Sequence, residues 1–407
     1  MFRFFSCVGI VLCLSVATRA DNLVSSTRNG SLSARQINER SAALFKKIAP
    51  KPATTAIDFY KIRYRSLNEQ SRPVVLTGLV ILPRGRAPKG LVIFNHGTMF
   101  DRQLSPSRYA GQTDFGETVP ALLAFASGGY AIAMPDYLGL GDNKNPHPYP
   151  LGSLNSRSAI DLIAPARALA ARRKVVVGSR LFITGYSEGG GVAMWATRQL
   201  ESKSGALYRV TAAAPASGPY DLSGVTRESM VQRAPNSQLF APRLYLLAGM
   251  VYSFHLRSGT KLTQYFKPSM ALTVSRAFSG TLSDQDILKR LVVTAALMRA
   301  NNSVERLVTP RFMKALKYPN SSDPLMRELV RNNTYNWTPR TKMLLIALKK
   351  DDVLTQKNTI KTIATMRRRG VSASVVKENI INDANLNHIS GMPPALIAAR
   401  RYFDNIK

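Results

Sequence analysis

"ITGYSEGGGVAMWA", residues 183–196, runs out of an apolar stretch through Gly185, Ser187 and Gly189 into small and apolar residues. The bare Gly-x-Ser-x-Gly pattern decides little, so its surroundings have to. Upstream, "RLFITG" (180–185) is a short β-branched apolar run that reads as a buried strand, and downstream "GGGVAMWATRQLE" passes from small residues into helix formers. Strand, tight turn and helix in that order make a nucleophile elbow, in which a strained turn lifts the serine hydroxyl above the sheet. The dense glycines then serve as steric permission for strand and helix to close on one another.

The elbow predicts a sheet on which to stand. "GLVIFNHG" (90–97), "YAIAMPDY" (130–137), "YRVTAAAPASG" (208–218), "KMLLIALKK" (342–350) and "VSASVVKEN" (371–379) are further compact apolar runs. Helical segments alternate with them: "ETVPALLAFASGG", "SAIDLIAPARALAARRK", "GVAMWATRQLE" and "NTIKTIATMRRR". Strands apolar on both faces and separated by helices imply a mostly parallel sheet covered on both sides. Near the start, "SLSARQINERSAALFKKI" (31–48) has helical spacing, while "AIDFYKIRYRS" and "RPVVLTGLVILP" alternate as an antiparallel pair at one edge. From 222 to 338 the rhythm becomes helical, apolar and basic, with "LYLLAGMVYSF", "DQDILKRLVVTAALMRA" and "TPRFMKAL" and no convincing strand. This predicts a helical cap, or lid, at 222–338 inserted into a core of 21–221 and 339–407.

The chain has 407 residues, of which 45% are apolar and 20% charged, enough for a large core. Its first twenty, "MFRFFSCVGIVLCLSVATRA", carry an early Arg3, a short apolar run and a small Ala20, the pattern of a signal peptide. The expectation is a secreted or periplasmic protein without a transmembrane anchor, since no later run reaches eighteen apolar residues. Cys7 and Cys13 both fall in that segment, which leaves the mature chain no disulfide, thiol nucleophile or cysteine metal site. Five Asn-x-Ser/Thr sequons occur, at Asn29, Asn301, Asn320, Asn332 and Asn336. The formal charge is +32. Basic residues are spread through the chain, with small clusters at Arg172–Lys174 and Arg367–Arg369 but no aromatic-interleaved stripe. That favours adsorption to anionic surfaces over specific nucleic-acid binding.

A serine hydroxyl is a weak nucleophile, so it needs a base for its proton and a carboxylate to fix that base's tautomer. Folds with such an elbow bring these groups in the order serine, acid, histidine, each on a loop after a strand. Of His96, His147, His255 and His388, only His388, in "NLNHISGMPPALIAARRYFD", follows the last predicted strand. The preceding strand, in "MLLIALKKDDV", ends at Asp351 and Asp352. Asp351 is read as the acid, with Asp352 turned to solvent or capping the next helix and Asp221 in "GPYDLSG" as the rival. Backbone donors for an oxyanion are assigned to Thr98, after the strand "LVIFNHGT", and to Glu188, after the nucleophile. His96 reads as a loop-shaping residue, His147 as a packed one, and Asp136, Gly139 and Gly141 as shapers of a loop at the pocket mouth.

The chain resembles the secreted lipases and esterases of the α/β-hydrolase superfamily, of the secretory-lipase type. The resemblance covers nearly all of the mature chain and rests on "NHGT", "PDYLGLGDNKNPHPY", "GYSEGG", "GPYDLSG", the long cap, "KKDDV" and "NHISGMPPA". Two features depart from the family. The acid loop reads "ALKKDDVLT", where a small lead-in and a proline after the acid are commoner, and the charge is unusually basic. The resemblance implies an α/β-hydrolase fold and hydrolysis of a carboxylic ester, with a hydrophobic substrate favoured by the apolar cap. Other expectations are a polyester or aromatic-ester hydrolase, a peptidase, or a non-catalytic binding protein on the same scaffold. No cofactor and no metal are expected.

Overall fold

The computed structural model describes residues 22–202, 208–318 and 322–406. The predicted signal peptide, both cysteines and the sequon at Asn320 lie outside the described residues. Among these residues nine strands form one sheet in the order β1-β2-β3-β5-β4-β6-β7-β8-β9. β2 (Ile57–Leu67) and β3 (Pro73–Pro83) pair antiparallel along their full length, from Ile57 opposite Pro83 to Leu67 opposite Pro73. β3 is also antiparallel to β5 (Ala131–Pro135). From β5 onward, through β4 (Leu91–Asn95), β6 (Leu181–Tyr186), β7 (Ala212–Ala216), β8 (Met343–Leu348) and β9 (Val376–Ile381), every pairing is parallel.

Every residue of β4 to β8 is buried, because helices cover both faces. Side chains alternate between two apolar cores, as strand geometry requires. Val92 and Phe94 join the core of α1 (Ala34–Phe45), α2 (Thr118–Ala126) and α12 (Met392–Asp404). Leu91 and Ile93 join the opposite core, with α3 (Gly152–Arg172), α4 (Glu188–Ser202) and α11 (Lys357–Arg368).

Between β7 and β8 the chain passes through a π turn at Leu222–Thr226 and then α5 (Arg227–Val231), α6 (Ser237–Ser258), α7 (Pro268–Ala277), α8 (Asp284–Leu297), α9 (Pro310–Lys317) and α10 (Pro324–Arg331). This helical insertion has a third apolar core, which includes Leu244, Leu247, Val251, Phe266, Met270, Leu291, Phe312 and Leu316. Two polar anchors tie it to the sheet domain. Arg257 of α6 pairs with Glu328 of α10 at 2.6 Å and with Glu69, in the β2–β3 turn, at 3.0 Å. Asp284, at the start of α8, accepts the N–H groups of Phe100 and Asp101 at 2.8 and 3.1 Å. Among the described residues no helix is long and apolar enough to cross a membrane.

Three elements differ from the sequence reading. β1 (Leu23–Leu32), antiparallel to β2, has no counterpart in it. Only its two end residues are buried, and its register shifts at Leu23/Ser25 and Arg28/Gly30, so no alternation survives to be read. α1 begins at Ala34, where Ser33 and Gln36 form a capping box, rather than at residue 31. β9 begins at Val376 rather than 371, because Ser372 turns the chain by accepting from the N–H of Ser374 on its hydroxyl and from that of Val376 on its carbonyl.

Candidate active site

Ser187 sits directly after β6 with φ of 58°, in the left-handed region that a serine adopts only when its surroundings hold it there. Its N–H donates to Ala216 O at 3.1 Å, and its own carbonyl accepts from Gly190 N at 2.9 Å. A Cβ on Gly189 would overlap Asn95 O, and one on Gly190 would overlap Ala216 O. The turn is wedged between the ends of β4 and β7, the two neighbours of β6, and only glycine fits at both positions.

Parallel strands deliver their following loops to one end of the sheet. His388, after β9, places Nε2 2.9 Å from Ser187 Oγ and Nδ1 2.9 Å from both carboxylate oxygens of Asp351, after β8. Asp351 also accepts from the N–H groups of Val353 and Leu354 at 3.0 and 2.7 Å, and its side chain is fully buried. The carboxylate is thereby fixed by two backbone donors and the imidazole. Tyr186 O–H donates to His388 O at 2.6 Å, and the rings lie 5.1 Å apart.

Asp352 differs from its expected position at solvent or at a helix cap. Its Oδ1 accepts the backbone N–H of His388 at 2.8 Å, so the two adjacent aspartates hold one histidine by ring and by main chain. Asp221 is engaged elsewhere: it accepts from Gly224 N and Val225 N and from Lys361 Nζ at 2.6 Å. His96 is buried, with Nδ1 2.7 Å from Gly97 O and its ring 4.1 Å from Tyr137, and burial lowers its pKa to about 4. His147 is packed as well, with Nδ1 2.9 Å from Leu138 O and a pKa lowered by burial to about 3. Asp136 accepts from Thr77 Oγ1 at 2.5 Å and Ser107 N at 2.8 Å, which pins the loop after β5.

Thr98 and Glu188 come together. The Thr98 hydroxyl lies beside the Glu188 carboxyl, which also accepts from Asn155 Nδ2 at 2.9 Å and is almost wholly buried. A second acid was missed by the sequence reading. Glu117, just before α2, accepts the N–H of Gly97 at 2.8 Å and lies close enough to His388 for the two side chains to interact electrostatically. Burial pushes the Glu117 carboxyl up to about 7 and the Glu188 carboxyl up to about 8. An acid abutting the almost wholly apolar "TVPALLAFA" was the available signal for Glu117. Among the described residues no group of three or more His, Cys, Asp or Glu side chains is arranged to hold a metal.

A nine-stranded, mostly parallel sheet with helices on both faces, carrying a serine on the turn after β6, is the α/β-hydrolase fold. Solved structures with the same architecture include the rice cell wall degrading esterase LipA from Xanthomonas oryzae, 23% identical with a TM-score of 0.80 over 96% of this chain and 100% of that one. A candidate hydrolase from Legionella pneumophila is 24% identical, with a TM-score of 0.81 over 95% and 98% of the two chains. Candida antarctica lipase A, at 16% identity, gives a TM-score of 0.64 over 95% and 82%. No protein-family profile matches the chain, and no curated protein matches its sequence.

Proposed function

We propose that the protein is an exported serine hydrolase of carboxylic esters, a lipase or carboxylesterase working through an acyl-enzyme on Ser187. The observation that carries this reading is His388 bridging Ser187 Oγ and the Asp351 carboxylate, all at 2.9 Å. In the first half-reaction His388 Nε2 takes the hydroxyl proton as Oγ attacks the ester carbonyl carbon, and Asp351 stabilises the imidazolium that forms. The N–H groups of Thr98 and Glu188 hold the oxyanion. The imidazolium then protonates the leaving alcohol as the carbon–oxygen bond breaks. Water repeats the sequence on the acyl-enzyme and releases the acid. The chain's own residues suffice for each step.

A hydrophobic substrate is supported by Phe100, two residues beyond Thr98, which packs edge-on against Tyr149, Tyr245 and Phe278 where the insertion meets the sheet domain. Similar folds that act as an esterase and as a lipase favour ester chemistry over peptide chemistry. Export is supported by Arg3 and the apolar run ending at Ala20. Adsorption to anionic surfaces belongs to the same reading, supported by the charge of +32. The deciding experiment measures rates on p-nitrophenyl esters of graded chain length, on a triglyceride emulsion and on an aminoacyl amide. Ser187-dependent turnover of the esters is expected. Faster turnover of the amide than of any ester overturns the reading.

A further inference from the structure

Three buried atoms around one carboxyl, Glu188 Oε2, His147 Nε2 and Asn155 Oδ1, meet no hydrogen-bond partner among the described residues. The tautomer of His147 follows from its neighbour: Leu138 O, 2.9 Å from Nδ1, can only accept, so Nδ1 carries the proton and Nε2 is a bare acceptor. That Nε2 lies 3.8 Å from Glu188 Oε1. Asn155, on α3, gives one amide hydrogen to Glu188 and leaves its own oxygen unserved. With Glu188 ionised, all three atoms are buried acceptors, an arrangement that folded proteins avoid. A proton on Glu188 turns one of them into a donor.

We propose that Glu188 works as a neutral carboxylic acid, an uncharged clamp that relieves this crowding of buried acceptors and positions Thr98 against residue 188 for the oxyanion. The inference rests on the serine-ester reading above. Glu188 is then more than a backbone donor: it is a positioning residue whose side chain sets the distance between the two N–H groups. The groups facing it are Thr98 from the loop after β4, Glu117 from the turn before α2, Asn155 from α3, His147 and Tyr149 from the loop ahead of α3, Tyr137 from the loop after β5 and Tyr245 from α6. None is a cation at neutral pH. The N-terminus of α4, the Thr98 hydroxyl and the Asn155 amide favour the anion, but burial, with Glu117 adding like charge, outweighs them and lifts the carboxyl to about 8. Above that pH a full negative charge stands within one residue's length of the developing oxyanion and repels it.

The test is the pH dependence, from 6 to 10, of kcat and KM on a soluble p-nitrophenyl ester. The parent is expected to lose at least tenfold in kcat through a midpoint near 8, with KM nearly unchanged. In Glu188→Gln that alkaline limb is absent, whatever the level of activity, because the amide cannot ionise. Glu117→Gln is expected to move the midpoint down by removing the neighbouring charge. An alkaline limb that is the same in Glu188→Gln as in the parent overturns the proposal. A second readout does not need turnover: the infrared carbonyl band of a protonated carboxyl, followed in Glu117→Gln and titrating below the parent's midpoint but well above an ordinary carboxyl. It decides the matter even where Glu188→Gln does not fold, and absence of any such band above about pH 6 also overturns the proposal. Hydrolysis that persists in Ser187→Ala sinks the proposed reaction instead and leaves the infrared result standing.

Discussion

Asp352 accepts the backbone N–H of His388 at 2.8 Å while its neighbour Asp351 binds that residue's ring. Consecutive residues point in different directions, and here both directions end on the same histidine. In the proposed mechanism one aspartate sets tautomer and charge, the other sets height. Asp351→Asn is expected to lower kcat by a thousandfold or more, because it removes the charge that stabilises the imidazolium. Asp352→Asn retains an oxygen acceptor and should stay within about tenfold of the parent, whereas Asp352→Ala frees the loop and should cost up to about a hundredfold through misplacement of the ring. Steady-state kinetics on the three variants, with melting curves as controls, check the order; a larger loss in Asp352→Asn than in Asp351→Asn reverses the assignment.

Ser187→Ala should abolish labelling by a fluorophosphonate and reduce turnover by about a millionfold, since the remaining groups then act only through binding and the oxyanion donors. The φ of 58° is imposed by neighbours that alanine leaves in place, so the fold should persist. Near-parental hydrolysis by the folded variant would remove the acyl-enzyme from the mechanism.

Asp221 is committed to stability instead of chemistry. It caps the π turn that leads into the insertion and pairs with Lys361, its own side chain buried and that of the lysine partly exposed. Asp221→Asn should therefore destabilise by about 1–3 kcal/mol and leave the pH profile of kcat unmoved. Denaturant midpoints beside initial rates separate the two effects.

Protons should tune stability as well as rate. The Glu188 carboxyl titrates near 8 when folded against an ordinary 4.5, so the folded chain binds the extra proton between those values. Its contribution is fully present below 4.5 and is lost as the pH rises through 8. His147, lowered to about 3 from 6.5, acts in the opposite sense: its contribution is present above 6.5 and is lost as the pH falls toward 3. The stability of Glu188→Gln relative to the parent should accordingly grow by up to a few kcal/mol between pH 4.5 and 8 and then level off. A difference in melting temperature that does not change with pH contradicts the shift.

The excess of basic residues invites a test of adsorption. Binding to anionic vesicles should weaken steeply with added salt, because exposed charges are screened beyond about 8 Å at physiological ionic strength. Hydrolysis of a small neutral ester should barely respond. Equal binding to neutral vesicles would remove the role assigned to the charge.

Much of this geometry could be read from local chemistry alone. "FITGYSEGGG" carries its strand, its turn and its steric demands within ten residues, and the places of Asp351 and His388 follow once strands are counted from it. What escaped depends on contacts distant in the chain. "LVSSTRNGSL" shows no alternation that marks a strand, yet it becomes β1 because β2 offers it a ladder. The sequence assigns Glu188 a main-chain role only, and an acid at a helix start is normally ionised. Only packing against α3 and the loop ahead of it shows that the carboxyl is buried. Asp352 could not be placed without knowing that the histidine loop returns over it.

The two outer strands bear on how this molecule meets others of its kind. An open sheet exposes unpaired backbone groups at each end, which invite a further strand to dock. β1 answers with two breaks in its register and with Arg28, which shares Asp58 with Arg84. β9 answers with exposed Lys377 and Glu378 along a strand whose first residue alone is buried. Irregularity at one end and charge at the other deny a neighbouring copy a straight, apolar border, so the sheet is built to stop at nine strands, and crowding should favour dispersed molecules over fibrous stacking.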